Sequence, residues 1–344
     1  MRLRSPRFLC SRKFWQRSLF AIASLATLIA AFYAIENARG HAAWMHYRKD
    51  AITRGMKLDW KEFIPAPIPD EENFAAIPIM RERMSPDPSL RAAQQNRLRL
   101  PDAKSWGNGR IGKQVEFAAW QECFSESGML SAKSDNPAAD LLRALERYEP
   151  ILNQFRAAMS RPQSQLVSDW EKGYEADFWR LGNQVEIGRI FSLRINGLLA
   201  TGRSEEALAD WRVQLRHADI LHNSPTLLAG MLRVMLLTMA VNTAWQGIAG
   251  EQWNDAELAE IESALRPIDL VASYVWVIQS ERAGFNFQFE KVRRDPASVH
   301  EFLIGGLIGG GWTWGFVPTG WVDQNLVRIN QWYDANILEA EQMK

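Results

Sequence analysis

The first apolar run, Leu19 to Ile35 (LFAIASLATLIAAFYAI), holds 17 residues without a charge. At 1.5 Å per residue it makes ~26 Å of helix, and Trp15 and Gln16 extend it into the interface of a hydrocarbon core about 30 Å thick. Residues 18–35 therefore read as a transmembrane anchor. Beyond it, Glu36, Arg39, Arg48 and Asp50 interleave with Ala42, Met45, Tyr47 and Ile52 until Gly55, a polar helix that predicts a stalk over 36–63. Pro65, Pro67, Pro69 and Pro78 then block both helix and central strand. The interleaved Ile64, Ile68, Phe74, Ile77 and Ile79 predict an extended arm, within a proline- and turn-rich segment 64–113, that docks on the following domain. A short helix over 89–98 fits inside that segment.

From 114 to 344 helical periodicity prevails. Asn136–Pro137 is a cap and first-turn pair, Gly202 a left-handed terminator, and Asn254 with Glu257 a capping box, as is Ser298 with Glu301. Ser204 and Ser224–Pro225 are further helix starts. Long helices are predicted over about 165–200, 268–283 and 322–341. The fold class is all-α: an N-terminal transmembrane helix and stalk, an extended proline-rich arm, then one irregular multi-helix domain, solenoid-like or bundle.

Charge adds a direction. Arg2, Arg4, Arg7, Arg12, Lys13 and Arg17 precede the first acid, Glu36, in a chain whose 40 basic and 40 acidic residues cancel. By the positive-inside rule, residues 1–17 are cytoplasmic and everything after Ile35 lies on the other side. A cleaved signal peptide shares the basic flank and apolar core, but Tyr33, Ala34, Ile35 and Glu36 offer no clean A-x-A site. A signal-anchor is the preferred reading. Removing the six leading cations leaves 34 bases against 40 acids, so nucleic acid is not an expected partner. The two cysteines, Cys10 and Cys123, fall on opposite sides of the membrane and do not pair.

The segment LLATGRSEEALADWRVQLRHADIL resembles one helix-turn-helix unit of tetratricopeptide-like solenoids, though no second copy follows at a 34-residue offset. The stretches ENARGHAAWMHYRKDAITRGMKLDWKEFIPAPIPDEENFAAIPIM and GWVDQNLVRINQWYD resemble an uncharacterised family of membrane-anchored proteins of Verrucomicrobia-type bacteria. That resemblance covers about a third of the chain. It implies a single-pass protein of a bacterial inner membrane with its main domain in the periplasm, and it implies no activity.

Motifs for phosphate loops, zincins, serine hydrolases, paired metal cysteines and EF-hands are absent, and no cofactor is expected. His217, Asp219 and His222 do not share a helical face. Glu171 and Glu175, one helical turn apart among Trp170, Tyr174, Phe178 and Trp179, are the candidate catalytic carboxylates of a hydrolase or lyase on envelope glycan or lipid. The competing reading is an apolar stripe of Trp170, Tyr174 and Phe178 with the acids in water. Arg233 interrupts a charge-free run from Ser224 to Gly250; it must pair with an acid, reach water or bind an anion, and Asp269 and then Glu186 are the expected partners. Residues 302–322 form 21 uncharged positions, in which Trp312, Trp314 and Trp321 suit packing, ligand or lipid contact. Segments 225–250 and 302–322 are alternative further spans. The functional expectation is a membrane-anchored binding or assembly protein, held by the lipid bilayer through 18–35, with an envelope protein, glycan or lipid as partner.

Overall fold

The computed structural model describes residues 12–83, 97–101, 114–167, 169–176, 184–294 and 317–342, with positions 87, 89 and 112. Residues 90–96 of the expected helix over 89–98, the Ser298–Glu301 capping box, and Phe178, Trp179, Trp312 and Trp314 lie outside the described residues. Among those described, regular structure is helical apart from one isolated parallel bridge, Asn73 with Gln163. The chain divides into two compact units, Met1–Glu62 with Arg282–Leu338 and Phe63–Glu281 with Glu339–Lys344. This division differs from the predicted order of stalk, arm and single domain at 36–63, 64–113 and 114–344.

In the first unit, α1 (Arg12–Thr53) runs unbroken from the apolar segment through the stalk. It is long and apolar enough to cross a membrane, and its apolar window is unburied. The stalk half is not a free spacer. Trp44, Tyr47 and Ala51 form a core with Leu58 and with Leu326 of the last helix, Thr319–Glu341. The two helices touch backbone to backbone: a Cβ on Gly40 would sit 1.9 Å from the Gly320 carbonyl oxygen, and one on Gly320 would sit 2.0 Å from that of Glu36. Asn37 Oδ1 accepts from the Gly320 N–H at 2.9 Å, which satisfies an otherwise orphaned donor at the helix start. Deeper in this unit Arg282, 1% exposed, donates to Asp334 at 2.7 Å, and the Tyr47 hydroxyl donates to the other Asp334 oxygen at 2.7 Å.

The second unit opens with residues 64–69 outside any helix or turn, followed by a folded segment. Turns around 70–76 and α2 (Pro78–Arg83) bury Phe74, Ile77, Ile79 and Met80, and Ile68 is half-buried. Pairing of the Phe74 N–H with the Gln163 carbonyl at 2.8 Å and of Gln163 N–H with Glu72 at 3.0 Å holds it in place. Next come α3 (Phe117–Glu126), α4 (Pro137–Leu145), α5 (Glu149–Ala157), α6 (Gln184–Ala200), α7 (Ser204–Ala218), α8 (Leu227–Ala249) and α9 (Asp255–Leu265). Helix α10 (Leu270–Arg294) starts in this unit, and α11 is the Thr319–Glu341 helix of the first. Helix α6 packs on α4, α7 and α8, and α7 also packs on α8, the arrangement of a bundle.

Local signals mostly act as expected. Asn136 accepts from Ala139 N–H at 3.1 Å ahead of Pro137, Asn254 and Glu257 form the reciprocal capping box, and Gly202 ends α6 at φ 74°. The cap of α8 is Thr226, two residues beyond Ser224. The predicted helix over 165–200 is a misreading: residues 170–175 form a 3₁₀ stretch broken at Gly173, with φ 63°, and the α-helix begins at Gln184.

One charge cluster in this unit gathers around a buried carboxylate. Asp210, 2% exposed, accepts from Arg156 Nε at 2.7 Å and Nη2 at 2.8 Å, and from Arg194 Nε at 2.8 Å. Glu149 takes the other ends of both guanidiniums, at 2.7 and 2.5 Å. Burial works against the Arg156 charge, yet Asp210 and Glu149 raise its pKa above the ordinary arginine value.

Candidate functional site

Helix α8 is apolar on every side, so its placement is decided by packing. Ala229, Leu232, Leu236, Leu237, Ala240 and Ala244 are buried, whereas Leu228, Met231, Val234, Met235, Val241 and Ile248 stay exposed. Length and composition would let it cross a membrane, but half of its most apolar window is buried inside the protein. Arg233 lies among the buried positions, 7% exposed. Its guanidinium lines a cleft of about 680 Å³ walled by Arg216 in the last turn of α7, by Asp219 and His222 just after it, by Asp269, Ser273 and Trp276 at the start of α10, and by Pro162–Ser164.

The expected partners of Arg233 are not the ones it meets. Asp269 caps α10, accepting from Ala272 N–H at 2.8 Å. Glu186 accepts from the Leu100 N–H at 3.0 Å and from Arg189 at 3.2 Å. Arg233 instead donates to Ser273 Oγ at 3.1 Å and stands 3.4 Å from Asp219 Oδ1. Both contacts are long for a buried guanidinium, and its Nε is buried without an acceptor. Asp219 is also shared: Arg216 lies 3.6 Å from its other oxygen. Arg216 is otherwise well occupied, donating to the Pro162 carbonyl at 2.7 Å and lying over the Phe74 ring. Two guanidiniums thus share one carboxylate, and the one with spare donors is Arg233. His222 at the same wall has its pKa lowered by burial and by the Arg233 charge, against a smaller opposing pull from Asp219.

A second, apolar groove of about 320 Å³ adjoins the cleft, lined by Met231, Val234, Leu270, Tyr274 and Val277 and sharing His222, Arg233 and Ser273 with it. Its base is close: a Cβ on Gly230 would come within 2.9 Å of Val277.

The other candidates are dispersed. Glu171 is exposed on the 3₁₀ stretch, and the break at Gly173 removes the α-helical spacing that was to pair it with Glu175; Trp170 is buried and Tyr174 donates to the Glu281 carbonyl at 3.2 Å. Trp321 belongs to the first unit, where its indole donates to Glu36 at 2.9 Å and its ring packs edge-on to Phe32. His217 is wholly buried and paired with Gln184 at 2.9 Å, apart from the roles of Asp219 and His222. Among the described residues no group of three His, Cys, Asp or Glu is placed to hold a metal ion. Cys123 is half-buried and takes part in no disulfide. Sequence reasoning singled out Arg233 but missed Ser273 and the apolar groove, for which a helical position facing Arg233 from α10 would have been the only signal. Compared with family models, with curated proteins and with solved structures, the chain matches none.

Proposed function

We propose that this chain is a membrane-anchored binding protein whose second unit takes a ligand bearing an oxyanion, a phosphate or carboxylate, in the Arg233 cleft. The single observation that carries this is the state of Arg233: a buried guanidinium that lines an open cleft, stands 3.4 Å from a carboxylate it shares with Arg216, and has an Nε without an acceptor. A guanidinium keeps its charge when buried, and its planar fork matches either oxyanion. In this reading α1 holds the protein in a bacterial inner membrane with residues 1–17 in the cytoplasm and the units in the periplasm. The six leading cations and the resemblance to membrane-anchored bacterial proteins support that orientation.

The test is calorimetric titration of the full chain, held in phosphatidylcholine nanodiscs, with inorganic phosphate and with acetate. Saturable binding of either anion that is lost in Arg233→Met supports the reading. Binding of neither, or binding indifferent to Arg233→Met, overturns it. A reporter fused at the C-terminus, active only in the periplasm, checks the orientation separately.

A further inference from the structure

We infer that the ligand is an amphiphile: an oxyanion head on Arg233, with an alkyl or acyl tail along the apolar groove between α8 and α10. This rests on the Arg233 reading above and adds the chemical class of the ligand. The polar cleft and the apolar groove are not separate features, because Arg233, Ser273 and His222 belong to the walls of both. The cleft is also lined by Asp219, Asp269 and Pro162–Ser164, and the groove by Met231, Val234, Leu270, Tyr274 and Val277.

Exposure supports this assignment. Met231 is 61% exposed, Leu270 48%, Val234 47% and Tyr274 43%, so four large apolar side chains face water along one strip that begins at a buried cation. A scattered exposed Leu or Met is ordinary, but a contiguous apolar strip ending at a charge is what a head-and-tail molecule would cover. Head and tail would reinforce each other. Covering the strip removes water from beside Arg233, and the charge-assisted hydrogen bonds to the head strengthen as water leaves. A small anion lacks the first effect, and an uncharged alkane lacks the second. Each methylene that reaches the groove should tighten binding about fourfold, so chain length and head charge are both read.

The experiment uses the full chain in phosphatidylcholine nanodiscs and two photolabels, octyl phosphate and octanoate, each with a diazirine near the tail end. Labelled peptides are mapped by mass spectrometry. Labelling by either probe within 227–237 and 270–277, competed by the unlabelled amphiphile and lost in Arg233→Met, supports the inference. Val234→Trp alters an exposed side chain; with an unchanged circular dichroism spectrum it should lose the same labelling by filling the groove. Labelling confined to α1, as bilayer partition alone gives, or labelling of the groove unchanged in both variants, overturns the inference. If inorganic phosphate or acetate still binds in an Arg233-dependent way while neither photolabel reaches the groove, the amphiphile falls and the oxyanion reading stands. If no anion and no amphiphile binds, both fall.

Discussion

Replacing Asp210 by Asn should destabilise the second unit more than any surface change. The substitution keeps shape and removes one charge from a carboxylate that accepts three guanidinium N–H bonds at 2.7, 2.8 and 2.8 Å. An amide offers one acceptor oxygen, and its NH₂ would face a cation. Removing one partner of a buried ion pair typically costs about 3–5 kcal/mol, because the remaining charge stays desolvated. Here Glu149 still contacts both arginines, and the Arg156 side chain is 28% exposed, so the expected cost lies near the lower end, about 3 kcal/mol. For a unit of this size that corresponds to a fall of about 6–12 °C in Tm. Scanning calorimetry of the full chain in nanodiscs measures it. Glu206→Gln, which breaks the exposed Arg203–Glu206 pair, is the control and should cost under ~1 kcal/mol. A Tm for Asp210→Asn no lower than that of the control would show that the two arginines reach water without rearrangement and that the cluster does not tie α5, α6 and α7 together.

Three further outcomes are expected. Burial pushes the Asp140 carboxyl up, but the Ser134 N–H and hydroxyl, Gln121 and Arg143 outweigh it and hold its pKa well below 3.8; its contribution is present above pH 3.8 and lost as pH falls through the folded value, so acid unfolding of Asp140→Asn should be flatter over that window. Gly320→Ala puts a methyl group into backbone of α1, so helix α1 and α11 must separate, and hydrogen exchange at 40–51 and 320–333 should accelerate; unchanged protection would refute the close crossing. Asp269→Ala should cost about 1 kcal/mol as a lost helix cap, and should add to Arg233→Met without coupling in urea midpoints, since Arg233 meets Ser273 and Asp219 and not Asp269; a coupling above ~1 kcal/mol would restore Asp269 as the partner of Arg233.

What could be read from sequence was local. The Asn136–Pro137 start, the Asn254–Glu257 capping box and the Gly202 stop all act within one or two turns, and the α1 span rests on one continuous run of residues, so residue type decides each outcome. The error over 165–200 is of the opposite kind: Trp170, Tyr174 and Phe178 have helical spacing, but Gly173 takes a positive φ that ends it, and spacing of apolar residues carries no information about that torsion. Pairings distant in sequence were illegible. Tyr47 meets Asp334 and Gly40 meets Gly320, so the stalk is a core helix, and neither residue announces its partner. Arg233 illustrates the boundary. Its burial followed from the apolar run around it, but helical phase fixes a direction and not the neighbour found there, and the carboxylate it meets stands 14 residues upstream, not on the next helix.

The continuity of α1 makes the first unit a mechanical extension of the bilayer segment. Roughly 18 residues separate Ile35 from the helix end at Thr53, a rod of ~27 Å. Trp44, Tyr47 and Ala51 pack that rod against Leu326 of α11, so in the first unit its outer half moves together with α11. A span tilted by about 20° carries the far end ~9 Å sideways, and a thicker bilayer that straightens the span swings it back. In the membrane-anchored reading, lipid thickness is converted into lateral displacement of a folded body by leverage.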